Sequence, residues 1–109
     1  MRILIVEDEG TLRRSLTRYF ELRCYEVVEA GSLAEAEQRL RAGGFEVALV
    51  DVCLPDGNGL ELLDRIGTSR AIAMSAHPGF FRGSNALHRM EKPLDLAQTE
   101  RLVASLAAA

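Results

Sequence analysis

The chain is poor in several things that would each have marked a class of function. It has two cysteines in 109 residues, Cys24 and Cys53, without the paired spacing of a zinc site or a disulfide framework. Both read as free thiols of a reducing compartment, which makes a cytoplasmic location the expectation. No apolar run approaches the roughly 20 residues that cross a bilayer, and Met1 leads straight into a strand pattern rather than a leader, so no membrane association is expected. Charge is never gathered into a block: 16 acidic residues stand against 13 basic ones, giving a net charge of -3. Without a basic stripe to follow a phosphate backbone, direct nucleic-acid binding is not expected. Lysine is nearly absent. Of the 13 basic residues 12 are Arg, and Lys92 stands alone. A position that keeps Lys in such a chain uses a compact ammonium on a flexible stem, which a planar guanidinium does not imitate. At this length, 1–109 reads as one domain with no output domain attached.

What is present is a repeated pattern. Val47-Ala48-Leu49-Val50 runs into Asp51, Ile3-Leu4-Ile5-Val6 into Glu7-Asp8, Ala71-Ile72-Ala73-Met74 into Ser75, and Leu87 to Met90 leads to Lys92-Pro93. Short apolar runs bounded by polar and turn residues read as strands buried on both faces. Each delivers a polar group at its carboxyl end, where open α/β sheets carry their sites.

Between these strands the spacing turns helical. Leu12, Leu16, Tyr19, Phe20 and Cys24 predict a first helix, with Arg13, Arg14, Arg18 and Arg23 on its outer side. Tyr25 to Ala30 is a second strand, and Glu26 and Glu29 place it at a sheet edge. Ser32-Leu33-Ala34-Glu35 is a capping-box pattern opening a helix that Gly43-Gly44 ends. Pro55 to Gly59 is turn chemistry before a short helix around Leu60 to Ile66, and a last helix starts at Asp95 as N-cap with Gln98 three residues on. Strand and helix alternate, so the expectation is an α/β fold with a doubly wound parallel sheet. Between Ser75 and Leu87, however, 11 residues remain, interrupted by Pro78, Gly79 and Gly83. Parallel crossovers usually take a dozen residues or more, so the fourth helix is expected to be a turn at most. Phe80 and Phe81 must then either plug that region or remain partly exposed beside Leu87 and Met90 as an interface, and an Arg at position 89, more useful at a surface than in a closing core, favours the second.

Glu7, Asp8 and Asp51 would crowd three carboxylates at one rim, which is costly unless a cation holds them together. Oxygen ligands at that density suit Mg²⁺. Lys92 and the Ser75 hydroxyl add a positive charge and a donor, completing what is needed to place a phosphoryl group on Asp51. A phosphatase of the haloacid dehalogenase kind would need a second Asp where Cys53 stands. A dinucleotide site fails because Gly57-x-Gly59 lacks its third Gly and the ribose-binding acid.

The segments Ile3 to Glu9, Val50 to Gly59, Met74-Ser75-Ala76 and Glu91-Lys92-Pro93 together resemble the receiver domains of response regulators in two-component signalling. The resemblance implies a five-stranded flavodoxin-like sheet in the order 2-1-3-4-5 and phosphorylation of Asp51 by a sensor histidine kinase or phosphotransfer protein. It implies Mg²⁺ on Asp8, Asp51 and the backbone carbonyl of Cys53, with Glu7 acting through water. Ser75 would follow the phosphoryl group as a switch residue, Lys92 would pair with its oxygens, and Pro93 would follow a cis bond. One departure is Arg89, beside His88, where the family usually carries an aromatic switch residue. Cys53 and His77, two residues beyond Asp51 and Ser75, are expected to modulate the phosphoryl lifetime. The expected output is contact with a downstream protein effector, with a homodimer through the 77–90 face as a further expectation. The alternative is a receiver-like interaction module that works without phosphorylation.

Overall fold

The computed structural model describes all residues except Gly83, Asn85 and Ala109. Five parallel strands form the central sheet: β1 (Arg2–Val6), β2 (Glu26–Ala30), β3 (Val47–Asp51), β4 (Ala71–Ser75) and β5 (His88–Glu91). Their spatial order is 2-1-3-4-5, so β2 is an edge as its glutamates foretold, and β3 is central. The order reverses direction between β1 and β3, which puts the crevice of a doubly wound sheet beside the ends of those two strands.

Side chains alternate across the sheet with period two. Ile3, Ile5, Val47, Leu49, Ile72 and Met74 enter one core with Leu16 and Phe20 of helix α1 (Gly10–Glu21) and Val103 of the last helix, α4 (Leu96–Ala108). Leu4, Val6, Ala48, Val50, Ala71 and Ala73 enter the other, with Ala36 of α2 (Leu33–Ala42) and Leu63 and Ile66 of α3 (Leu63–Ile66).

The helix ends follow their local chemistry. Ser32 Oγ accepts from the Glu35 amide at 3.1 Å and Gly43 closes α2 with φ 69°. At the start of α4, Asp95 accepts from the Gln98 amide at 2.9 Å. Two expectations change. Glu35 reaches past Ser32 and accepts from the amide of Gly31 at 3.3 Å. Cys24 leaves the stripe of α1 altogether: the helix ends at Glu21, and Cys24 is exposed with φ 67° in the turn that leads to β2.

The shortened crossover is real. A single 3₁₀ turn, Pro78–Phe81, is the helical structure between β4 and β5 among the described residues; the predicted interruption at Gly83 lies outside them. The two phenylalanines divide the alternatives. Phe81 is 5% exposed and joins the core of Ala71, Ala73 and Ala86, whereas Phe80 is 44% and Leu87 65% exposed. Three small neighbours let one ring cover a sheet face that ordinarily needs a helix. Replacing Phe81 by Ala is therefore expected to cost about 3 kcal/mol in urea unfolding, the range for emptying a buried aromatic site. Phe80→Ala should stay within about 0.5 kcal/mol, as surface changes do. Equal losses at the two positions would show that Phe81 is no plug.

Candidate functional site

The polar groups that end the strands are fixed by hydrogen bonds extending the ladders one residue further. The Glu7 amide donates to the Ala30 carbonyl at 3.0 Å, the Val52 amide to that of Met74 at 3.0 Å, and the Lys92 amide to that of Ser75 at 2.9 Å. Glu7, Asp51, Ser75 and Lys92 thus stand side by side at the carboxyl ends of four strands. Carboxylate oxygens of Glu7, Asp8 and Asp51 lie within 4.8 Å of one another. Lys92 closes the cluster: its Nζ donates to Glu7 Oε1 at 2.6 Å and to Asp51 Oδ2 at 3.1 Å.

Burial sets the electrostatics. Glu7 is wholly buried, and that desolvation, against the opposing Lys92 bond and with the Asp51 carboxylate adding to it, pushes its pKa up to about 7. Burial also works against the charge on Lys92, but the bonds from Glu7 and Asp51 outweigh it and hold the ammonium above its ordinary range. Asp8 is exposed and open to the solvent side. The third acid of the run serves the helix instead: Glu9 caps α1, accepting from the Thr11 and Leu12 amides at 3.0 and 2.8 Å, and those bonds lower its pKa.

This donor set fits a hard divalent cation. Three carboxylates converge with one ammonium, leaving net negative charge and oxygen lone pairs toward the open Asp8 side, the chemistry of a Mg²⁺ site that keeps several waters. Beyond Asp51 the chain folds back in a small antiparallel hairpin, Cys53–Leu54 against Gly57–Asn58. The Cys53 amide donates to Asp51 Oδ1 at 3.1 Å, so one carboxylate oxygen is held by the hairpin and the other by Lys92. Gly59 seats the hairpin on the strand end. A Cβ there would fall 1.9 Å from the Asp51 carbonyl oxygen, so this close approach admits glycine alone.

Ser75 is buried and turned onto its own loop. Its Oγ accepts from the His77 amide at 2.9 Å and donates to the His77 carbonyl at 3.1 Å. The exposed His77 ring lies 5.2 Å from that of Phe80, edge to face, and Phe80 joins Val52, Cys53, Gly57 and Asn58 around a cavity of about 210 Å³. Cys53 thus lines this cavity, and His77 stands next to it through Phe80. Arg89 and His88 do not join the acid cluster: both are in β5, and Arg89 donates from Nε to the Ala86 carbonyl at 3.1 Å with its guanidinium 5.9 Å from the Phe81 ring. The Lys92-Pro93 bond is cis.

Two supporting residues escaped the sequence reading. Arg13, placed on the outer side of α1, instead turns inward; its Nη1 donates to the Glu7 carbonyl at 2.7 Å while Nε pairs with Glu29 at 3.0 Å. Asp56, read as turn chemistry, holds the first two amides of α2. The helical spacing of Arg13, between the buried and exposed stripes, was a usable signal for the first. For Asp56 the partners are 22 and 23 residues away and no local pattern indicates them.

The family model of the response regulator receiver domain matches residues 3–96. The chain is similar to the swarming motility regulation protein RssB of Serratia marcescens, 43% identical over 63 residues that cover 58% of this chain and 29% of that protein. It spans 29–38% of the length of the first curated relatives it matches. Among solved structures, a receiver domain protein from Methanospirillum hungatei superimposes with TM-score 0.87 at 25% identity, covering 98% of this chain and 93% of that one. The TrrA response regulator of Thermotoga maritima, solved with Mg²⁺ and BeF, superimposes with TM-score 0.84 at 23% identity, covering 96% and 97%. No helix among the described residues is long and apolar enough to cross a membrane.

The raised Glu7 pKa has a consequence for the metal-free protein. The fold holds a proton up to about pH 7 that the unfolded chain gives up near 4.5. Stability from this source is full below the unfolded value and is lost as pH rises through the folded one. In EDTA, the urea midpoint should fall as pH is raised from about 5 to about 8, and Glu7→Gln should flatten that slope. A midpoint that rises over this range in the wild type, or a slope unchanged in the variant, would reject the assignment.

Proposed function

Because this chain belongs to the response regulator receiver domain family, a family of regulatory phosphoacceptors rather than classical enzymes, we propose that it is a two-component signalling switch that takes a phosphoryl group on Asp51. The convergence of Asp51 with Glu7, Asp8 and Lys92 at the strand ends is the observation that carries this reading. The family implies a sensor histidine kinase, or a phosphotransfer protein, as donor. An Asp51 carboxylate oxygen attacks phosphorus, the new P–O bond forms as the P–N bond to the donor histidine breaks, and the imidazole leaves with the electron pair. Mg²⁺, held by Asp8, Asp51 and the Cys53 carbonyl with Glu7 acting through water, would supply charge neutralisation on the transferring oxygens.

This chain's own residues do the rest. The Cys53 amide and Lys92 orient the Asp51 carboxylate before transfer. Lys92 then moves its charge from carboxylate to phosphoryl oxygen, a short shift for a flexible stem. Ser75 must give up its bond to the His77 carbonyl to donate to the phosphoryl group, which links the site to the segment carrying Phe80 and Phe81. Cys53 and His77 flank the path of an attacking water and tune the lifetime. The output is contact with a downstream protein effector, and the 77–90 face with exposed Phe80 and Leu87 is the surface for that contact or for a second copy.

Incubation with acetyl phosphate and Mg²⁺ should add one phosphoryl group to the wild type and none to Asp51→Asn or to protein in EDTA, read by intact mass. An unchanged mass in the wild type, or the same gain in Asp51→Asn, would overturn the proposal and leave the reading of an interaction module independent of phosphate. Asp8→Asn should weaken Mg²⁺ binding by about tenfold or more, since one of two direct anionic ligands is removed; equal affinity in a metal titration would reject its role.

A further inference from the structure

The first turn of α2 has three amides that need acceptors from outside the helix. The local cap, Ser32, supplies one, to Glu35. The other two are taken by one side chain from the hairpin beyond β3: Asp56 Oδ1 accepts from Leu33 at 2.7 Å and Oδ2 from Ala34 at 3.0 Å. The neighbouring Gly57 lies flat against Leu33, where a Cβ would come within 2.7 Å of Leu33 Cδ2, and Leu33 in turn packs on the core. The tip of the hairpin is thereby fastened to a helix, and its root is fastened to Asp51 through the Cys53 amide and to Val52, the residue that follows β3, through Gly59 donating to the Val52 carbonyl at 2.8 Å.

We propose that Asp56 is a positioning residue for the phosphoacceptor loop, clamping the hairpin to the α2 N-terminus so that the main chain of Cys53 is already in place for Asp51 and its cation. The inference rests on the metal-dependent phosphoacceptor reading and deepens it. A two-residue hairpin ladder does not hold itself in water, so without an anchor the loop would have to be ordered each time the site is filled, and that ordering would weaken binding. The carboxylate suits this role because both of its oxygens are used and its charge meets the positive end of the helix. The same two bonds lower the Asp56 pKa, so the clamp is ionised at neutral pH. The contact also makes the position of α2, which is otherwise remote from the chemistry, felt at Asp51.

The test compares two caps on one helix. Ser32→Ala removes a cap that does not touch the hairpin, and Asp56→Ala removes the one that does. Both should lower the melting temperature. In EDTA, hydrogen exchange at the Cys53 and Gly59 amides should accelerate about tenfold or more in Asp56→Ala and stay near wild type in Ser32→Ala. In a Mg²⁺ titration the dissociation constant should rise about three- to tenfold in Asp56→Ala alone, the cost of ordering one or two residues. Asp56→Asn, which keeps one acceptor oxygen, should recover part of both effects. Exchange that is unchanged in Asp56→Ala, or altered alike by the two caps, overturns the clamp. Faster exchange with unaltered Mg²⁺ affinity overturns its positioning role. If the wild type itself binds no Mg²⁺, the metal reading fails, while the exchange comparison still decides the clamp.

Discussion

One ammonium holds the functional end of this molecule together. Lys92 is bonded at once to a carboxylate 85 residues away and to another 41 residues away, each standing at the end of a different strand. Two buried acids side by side repel, and removing them from water makes the repulsion worse. The arrangement persists because a single cation satisfies both and because Glu7 retains a proton up to about pH 7. Guanidinium would be a poor substitute: its fork matches one carboxylate face-on, whereas this position must serve two that arrive from different directions. That is why the one lysine of an arginine-rich chain lies here. Under the proposed function the same pairing would let the site exchange partners, since an ammonium that leaves a carboxylate for a phosphoryl oxygen keeps its charge compensated throughout.

The strands with their terminal residues were legible in the sequence because each signal is local: four apolar residues, then a polar one, set β1, β3 and β4 to within a residue. The shortened crossover was legible by counting. So were the caps at Ser32 and Asp95, where donor and acceptor are three residues apart. The residues that hold the site from outside were not. Arg13 reaches Glu7 and Glu29 only after α1 has packed beside the loop following β2, and Asp56 finds its amides only after α2 and the hairpin meet. Such contacts are products of the fold: the place of Arg13 between the buried and exposed stripes of α1 hinted at an inward turn but not at its partners, and the loop position of Asp56 gave no periodic sign at all. The exposure of Phe80 and burial of Phe81 failed to show for a related reason: adjacent aromatics in a 3₁₀ turn point apart, and neither the helical nor the strand period applies.

The two faces of the sheet have different depths, and this is what permits a crossover whose described residues hold a single 3₁₀ turn. On the side of α1 and α4 the strands present Ile, Leu, Val and Met, bulky groups that require continuous cover. On the other side β4 presents Ala71 and Ala73, beside Ala48 of β3. Burying those methyl groups yields little, so leaving out the helix that would cover them forfeits little, and one phenylalanine closes the gap. The shallow face therefore tolerates an irregular segment where a deep one would expose several large side chains and lose roughly 2 kcal/mol for each.

That tolerance has a consequence for how the site can speak to the surface. In a crossover built on a helix, a displacement at its first residue is spread along a rigid rod of intramolecular hydrogen bonds. Here Ser75 is bonded to His77, His77 touches Phe80, and the next ring, Phe81, lies near the Arg89 guanidinium, so a short chain of contacts leads from the acidic rim to the exposed edge of β5. Contiguity alone transmits nothing; a signal requires an element with two arrangements whose balance the site can bias. Under the proposed function the Ser75 hydroxyl would have two such arrangements, the observed one on the His77 carbonyl and a second on a phosphoryl oxygen, and the second would leave that carbonyl to be satisfied by solvent or by movement of the turn. With Phe81 the buried ring that anchors the turn and Phe80 already in water, the movement works against one side chain rather than a packed helix. A crossover whose described residues hold one 3₁₀ turn thus lowers the work needed to reshape the surface next to it.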